Sequence, residues 1–347
     1  MQGPLEASAA SAVFRASAAR AVSTGLLVIG SLGTLVLAGC GDDPAGNSDP
    51  SNEGGVNTAD GGTVGSGSDG SVSSSQDGGA GAADGSSHVP AGSCGVAGAA
   101  VGFIAKTTVM VGGASRTYAL TVPAGYDGTK LYPLIVGFHG DGGNGAGYRG
   151  SFKIEDAAHT AGGDAIFAWP DGTNNNNGHS FDQDHDPPAN KDVDFFEALV
   201  KQVSTTYCVD SKKLFIHGMS GGAYFVNQLA RWKASEIKGA APQSGGGPFG
   251  ITAADFTNGQ VSVNGPVPVF IVHGDADGTV SLSEGMKSYT YWQGADKTTA
   301  GTTAGGPSPC VKQNGGVAPV YFCKIPGMGH TIWTGSPAGI WQFYSSL

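Results

Sequence analysis

Gly218-Met219-Ser220-Gly221-Gly222 places a serine among glycines with the spacing G-x-S-x-G, after the apolar run Leu214–His217 and before a helical pattern over Ala223–Trp232. A serine lifted out of a strand as the chain enters a helix sits on a strained turn, where the two backbones come too close for neighbours carrying a Cβ. The helix behind it aims free N–H groups and the positive end of its dipole at the place where an oxyanion would form. Because a hydroxyl is a poor nucleophile near neutral pH, such a serine needs a base to take its proton and a third group to orient that base.

Both partners are found downstream. Val272-His273-Gly274-Asp275-Ala276-Asp277-Gly278-Thr279-Val280 puts two carboxylates in the turn leaving a strand. The pattern resembles the acid turn of many α/β-hydrolases and points to Asp277, which leaves Asp275 as a turn former bonded to its own backbone. His330, in Gly327-Met328-Gly329-His330, follows the last predicted strand, where a glycine loop can swing an imidazole back over the serine. The other seven histidines are placed differently: His139 and His273 in His-Gly turns, His217 before the serine turn, and His88, His159, His179 and His185 away from the expected position. The order Ser220, Asp277, His330 is that of the α/β-hydrolases and differs from the chymotrypsin and subtilisin orders. A second oxyanion donor is expected in Phe138-His139-Gly140-Asp141-Gly142-Gly143. The backbone N–H groups of Gly221 and Asp141 are the expected pair, with Gly142 next.

The elements that must hold these residues alternate. Thr107–Val111 and Arg116–Val122 flank Gly112–Ser115 as an opening hairpin. Tyr132–Phe138 is a nearly continuous apolar run of the kind a doubly covered parallel sheet requires, and Ala165–Trp169 is another short buried strand. Further strands are expected at Lys238–Ala241, Val267–Val272 and Val320–Ile325. Helices are expected at Asp192–Thr206 with Asp192 as N-cap, at Leu282–Gln293 and at Pro337–Ser346. The alternation predicts an α/β fold with a mainly parallel central sheet, helices on both faces and no large cap domain, its site at the carboxyl ends of the strands.

Composition divides the 347 residues into three segments. Residues 1–39 carry Arg15 and Arg20 and then an apolar run from Leu26 to Leu37, the order of a secretory signal, too short to span a membrane comfortably. Leu37-Ala38-Gly39-Cys40 resembles the bacterial lipobox, which makes Cys40 the expected lipidation site. Residues 40–93 are Gly, Ser, Asp and Ala with almost no large apolar side chain, a flexible tether. The tether holds eight acidic and no basic side chains, so residues 94–347 carry sixteen basic against nineteen acidic, a net −3 within an overall −10. A basic surface for nucleic acid is not supported. Residues 94–347 suit one catalytic domain. Their four cysteines, Cys94, Cys208, Cys310 and Cys323, allow three pairings in an exported protein. The short loop from Cys310 to Cys323 favours that pair and leaves Cys94 with Cys208.

Together these residues resemble the bacterial and fungal feruloyl esterases and the related polyhydroxybutyrate depolymerase-like esterases. The likeness rests on Ser93-Cys94-Gly95, Arg116-Thr117-Tyr118, Pro133-Leu134-Ile135 leading to His139-Gly140, Trp169-Pro170-Asp171-Gly172, Asp192-Val193-Asp194-Phe195 and Cys208-Val209-Asp210. The Ser220 turn, the His273 acid turn and Cys310 to Cys323 ahead of Gly329-His330 complete it, covering nearly all of residues 94–347. The resemblance implies extracellular hydrolysis of feruloyl or acetyl esters on plant cell-wall polysaccharide, or of polyhydroxyalkanoate, with no metal or organic cofactor. It also favours both disulfide pairs. The expected protein is a monomer, secreted or lipid-anchored to the cell envelope, touching the membrane through its anchor alone. Phe181, Tyr148, Tyr224 and Trp333 are the aromatic candidates for stacking on a feruloyl ring or sugar. Thr331-Ile332 intervene between His330 and Trp333, where compared members often have Trp sooner. The stretch Asn174–Asn190, with Asp182, Asp184, His185 and Asp186, reads as a solvated loop rather than a cation site. A non-catalytic binding protein on the same scaffold would need a broken triad, and a serine peptidase would bring extra domains or a cap; neither sign is present in the sequence.

Overall fold

The computed structural model describes residues 94–175, 178–250 and 265–347. The expected signal, Cys40 and the tether lie outside the described residues. A ten-stranded sheet runs in the order β1-β2-β4-β3-β7-β8-β9-β12-β11-β10. Its strands are β1 (Gly102–Val111), β2 (Ala114–Val122), β3 (Tyr132–Phe138), β4 (Ile166–Pro170), β7 (Val209–Met219), β8 (Gly239–Gln243), β9 (Val269–Gly274), β10 (Thr298–Ala304), β11 (Val311–Gly315) and β12 (Val320–Ile325). From β4 through β3, β7, β8 and β9 to β12 every pairing is parallel, while β1-β2, β2-β4, β12-β11 and β11-β10 are antiparallel. β5 (Thr173–Asn175) and β6 (Gly178–Ser180) form a separate hairpin.

Successive side chains of a strand point to opposite faces, so each parallel strand feeds two cores. Leu134, Val136 and Phe138 of β3 and Leu214 and Ile216 of β7 face one core. This face is covered by α3 (Lys191–Thr206), α4 (Gly221–Trp232) and α5 (Leu282–Ala295), which contribute Phe195, Phe196, Phe225, Leu229 and Trp292. Ile135 and Phe215 face the other core, beneath α1 (Gly145–Phe152), α2 (Ile154–Thr160) and α6 (Ser336–Ser345). Burying each large apolar side chain contributes about 1.5–3 kcal/mol against chain entropy.

Several details depart from the sequence-based expectation. Asn190, not Asp192, caps α3: its side chain accepts the N–H groups of Asp192 and Val193. Asp192 is instead buried against Arg116, at 2.6 Å, and its other oxygen accepts the N–H of Asp182 at 2.7 Å. Removing one partner of such a buried pair costs roughly 3–5 kcal/mol, because the other charge is left uncompensated. The helices α1 and α2 lie in a stretch whose glycines hide a helical pattern; Asn144 starts α1 by accepting the N–H of Gly147. β10 was hidden because Thr298–Ala304 is largely exposed at the sheet edge and carries no apolar run. Disulfides join Cys94 to Cys208 and Cys310 to Cys323.

Candidate active site

The site is assembled where β3, β7, β9 and β12 end. Ser220 follows β7 with φ 56 and ψ −124, a conformation a non-glycine residue holds only when its surroundings impose it. The surroundings do so by close approach. A Cβ on Gly218 would lie 2.5 Å from the Gly222 carbonyl oxygen, and one on Gly222 would lie 2.2 Å from that of Phe138. The Ser220 N–H donates to the carbonyl of Gln243 at 3.0 Å, which ties the turn to the end of β8.

His330 Nε2 stands 2.9 Å from Ser220 Oγ, and His330 Nδ1 stands 2.8 Å from Asp277 Oδ2. Asp277 Oδ1 accepts the N–H groups of Thr279 and Val280, each at 2.9 Å. Burial pushes the Asp277 carboxyl up, but the hydrogen bond from His330 and the two backbone donors outweigh it and hold the group below the usual carboxylate range. An ionised Asp277 accepts from Nδ1–H and leaves Nε2 free to take the serine proton. His273, fully buried, donates from Nε2 to the Val280 carbonyl at 2.9 Å and so braces the same turn.

The second carboxylate has a different task from the local turn expected of it. Asp275 Oδ1 accepts the N–H of Gly327 at 2.7 Å, holding the loop that carries His330. In the same seam the Ala276 N–H donates to the Met328 carbonyl, and a Cβ on Gly274 would fall 2.0 Å from that oxygen, so glycine is required there.

Gly140 lies against the nucleophile: a Cβ at this position would be 3.0 Å from the Ser220 Cβ. The Gly142 N–H donates to the His179 carbonyl at 2.8 Å and is therefore occupied. Gly221 is the first residue of α4, so its N–H has no intrahelical acceptor. The Gly140 carbonyl is held by His139 Nδ1 at 2.7 Å and the Gly143 N–H at 3.0 Å. In a trans peptide the N–H points opposite to the C=O, so the Asp141 N–H is turned away from His139. His139 Nε2 accepts the Gly172 N–H at 2.9 Å, which fixes the neutral tautomer with its proton on Nδ1. Burial, opposed by the Gly140 carbonyl, lowers the His139 pKa and favours this neutral form. Asp141 Oδ1 accepts from the Gln183 side chain at 3.0 Å, and burial raises its carboxyl pKa.

The aromatic expectations need correction. Phe181 is 1 % exposed, packed among Phe138, Phe225 and His139, so its ring offers no face to a ligand. Tyr148 is also buried, its hydroxyl 3.1 Å from Nδ1 of His217 in the second core. That histidine is pushed down to about 3 by burial and stays neutral. Trp333 is half-buried against the second core, and Tyr224 stands on α4 four residues past Ser220. In the Asp182–Asp186 loop, Asp182 is 2.9 Å from His185 Nδ1, while Asp186 accepts from Gln228 and, at 3.0 Å, from Trp232 Nε1.

Gln243 carries no sequence signal and is central. Fully buried, it donates its side-chain amide to the Thr331 carbonyl at 2.8 Å and accepts the Ser336 hydroxyl at 2.5 Å, so one residue touches both the serine turn and the histidine loop. Only its place at the end of a strand beside β7 could have drawn notice.

No family model matches the chain. Feruloyl esterase C of Emericella nidulans is 29 % identical over 253 residues, covering 66 % of this chain and 83 % of that protein. In sequence the chain is similar to the feruloyl esterases. A probable feruloyl esterase C of Aspergillus niger is 32 % identical over 185 residues, covering 49 % of this chain and 60 % of that protein. Among solved structures, an acetyl xylan esterase from Aspergillus awamori superposes with a TM-score of 0.56 at 18 % identity, over 66 % of this chain and 94 % of that one. A feruloyl esterase module from Clostridium thermocellum complexed with sinapinate gives 0.51 at 17 %, over 70 % and 86 %. The fold is that of the α/β-hydrolases.

Proposed function

We propose that this carboxylic ester hydrolase cleaves feruloyl or acetyl esters on plant cell-wall polysaccharide, with Ser220 as nucleophile, His330 as base and Asp277 as acid. The observation that carries the residue roles is the unbroken chain of contacts from Asp277 Oδ2 through His330 to Ser220 Oγ, at 2.8 and 2.9 Å. In this reading Ser220 attacks the ester carbonyl while His330 Nε2 takes its proton. The tetrahedral oxyanion settles on the N–H groups of Gly221 and Asp141, each worth roughly 3 kcal/mol of transition-state stabilisation. His330 then protonates the leaving alcohol, activates a water and releases the acid.

The similarity to proteins named feruloyl esterase and acetyl xylan esterase supports the substrate class. Trp333, half-exposed beyond His330, remains the nearby aromatic for contacting the polysaccharide side. Two disulfides suit an oxidising, extracellular setting, and we assign attachment to the envelope to a lipid on Cys40, with residues 40–93 as tether and residues 94–347 as catalytic domain. The test is fluorophosphonate labelling together with hydrolysis of methyl ferulate, acetylated xylan and short polyhydroxybutyrate. Labelling is expected to vanish in Ser220→Ala and fall sharply in His330→Ala; unchanged labelling in both contradicts the residue roles. Hydrolysis of polyhydroxybutyrate alone contradicts the substrate class.

A further inference from the structure

Helices α2 and α6 enclose an open groove of about 760 Å³, within the size range of ligand sites, and no residue of the triad or the oxyanion loop lines it. Periodicity explains how it forms. Asp156, Ala157, Thr160 and Ala161 recur at helical spacing along α2 and its C-cap, and Pro337, Ala338, Trp341, Gln342 and Ser345 do so along one side of α6. The alanines at 157, 161 and 338 leave open the space that longer side chains would fill.

Trp341 is the one aromatic side chain in this lining. Its place is made by a glycine: a Cβ on Gly163 would fall 2.2 Å from Trp341 Cζ2, so a larger residue there would push the indole aside. The ring packs partly against the second core and is otherwise open to solvent. Around it Lys153, Asp156, Thr334 and Gln342 bring side-chain donors and acceptors that no other described residue occupies, and the indole N–H also donates to none of them. The groove is continuous with the reacting centre. Thr334 adjoins the half-exposed Trp333, three residues beyond His330. Ser336, which opens α6, is bonded to Gln243, whose carbonyl holds the Ser220 N–H.

We propose that this groove is a second substrate-binding site, which takes the sugar main chain of the polysaccharide whose ester is cleaved at Ser220, with one sugar ring stacked on Trp341. The inference rests on the polysaccharide-ester reading above. A sugar ring has apolar C–H faces and a rim of hydroxyls, so it is met best by one aromatic plane bordered by hydrogen-bonding side chains, which is the composition present. A protein partner fits worse, because the cores of protein interfaces are depleted in Lys, Asp, Ser and Ala, the residue types that make up most of this lining. A polyanion fits worse too, since the charges of Lys153 and Asp156 cancel. α6 runs ~15 Å away from its Ser336 end, so a polymer seated along it makes contacts that a small ester cannot reach.

The test measures depletion of the purified full chain from solution by deacetylated insoluble xylan, together with steady-state kinetics on soluble acetylated xylan, methyl ferulate and p-nitrophenyl acetate. Trp341→Ala is expected to bind xylan roughly 10-fold more weakly and to raise the KM on acetylated xylan by a similar factor with kcat unchanged, as loss of an aromatic anchor would. Ala338→Arg, at an exposed helix position where the new side chain fills the groove and removes no core contact, is expected to do the same. Both variants are expected to keep wild-type kcat/KM on the two small esters. Unchanged xylan binding in both variants overturns the proposal. An equal loss on the small esters also overturns it, since the substitutions would then act on the triad. A wild-type dimer that Trp341→Ala dissociates assigns the groove to a second copy of the chain and overturns it as well. If the wild type binds xylan through Trp341 and cleaves no ester, the hydrolase reading fails while the groove stands as a sugar site; if it cleaves the small esters and does not bind xylan, the groove proposal fails while the triad stands.

Discussion

The side-chain amide of Gln243 donates to the carbonyl of Thr331 across 2.8 Å, and Thr331 is the residue directly after His330. Because the Gln243 backbone carbonyl also accepts the Ser220 N–H, the distance from nucleophile to base is set in part by this one residue. Gln243→Ala leaves the Thr331 carbonyl and the Ser336 hydroxyl without their partner, and an unsatisfied buried group costs about 1–3 kcal/mol. The expected outcome is a lowered melting temperature and a kcat reduced at least 10-fold, read by thermal unfolding and steady-state kinetics. A variant with wild-type kcat would show that the histidine loop is held by other contacts.

Asp275 and Asp277 are two residues apart and separable by substitution. Asp277→Asn removes the acceptor for His330 Nδ1–H, allows the wrong tautomer, and is expected to lower kcat by roughly 10³–10⁴ with the fold intact. Asp275→Asn weakens only the bond to the Gly327 N–H, so a loss of about 1 kcal/mol in stability and a much smaller drop in kcat are expected. Kinetics and denaturant melts on the two variants check the division; equal kinetic losses would refute it.

What the sequence made legible follows from what each feature depends on. The parallel strands β3, β7 and β9 could be read because a strand covered on both faces must be apolar throughout, and the turns at Ser220 and Asp277 because close backbone approach demands glycine at fixed offsets. Phe181 and Tyr148 were misplaced because an aromatic side chain looks the same in a sequence whether it lines a cavity or fills a core; only the packing against Phe225 and His217 decides. Gln243 and Asp275 act through contacts between segments distant along the chain, to Thr331 and Gly327 respectively, and no local spacing encodes such meetings.

Asp296 ends α5 fully buried, with Oδ1 accepting the Val267 N–H at 3.2 Å and no hydrogen-bond partner for Oδ2 among the described residues. Burial pushes its pKa up to about 8 from 3.8, against the lowering effect of that one donor. The folded protein therefore keeps the proton where the unfolded chain has released it, so stability falls as pH rises from about 4 to about 8. Asparagine mimics the protonated side chain. Asp296→Asn is expected to match the wild type near pH 4 and to exceed its melting temperature increasingly toward pH 8. A difference that does not grow with pH would mean the carboxyl is ionised in the folded state.

The two disulfides close loops of very different length, 114 and 13 residues. In the chain-entropy account the longer closure stabilises by about 4–5 kcal/mol and the shorter by about 3. Replacing Cys94 and Cys208 by serine is expected to lower the melting temperature more than replacing Cys310 and Cys323, compared in the same buffer. The reverse order would indicate that the cross-link near the His330 loop acts through native contacts rather than through the unfolded chain.

His139 offers the sharpest test of the oxyanion assignment. Its Nδ1–H holds the Gly140 carbonyl while Nε2 accepts the Gly172 N–H, so the ring fixes the peptide plane whose other side carries the Asp141 N–H. If that N–H binds the oxyanion, freeing the plane removes a stabilisation made in the transition state and not in the ground state. His139→Ala is then expected to lower kcat by roughly 10²-fold with little change in KM, the signature of such a loss. Asparagine can reproduce the donor to Gly140 but not the acceptor for Gly172, so His139→Asn is expected to recover part of the kcat. Melting curves on both variants separate this from unfolding. A folded alanine variant with wild-type kcat would remove Asp141 from the oxyanion site, and a loss confined to KM would place His139 in substrate binding instead.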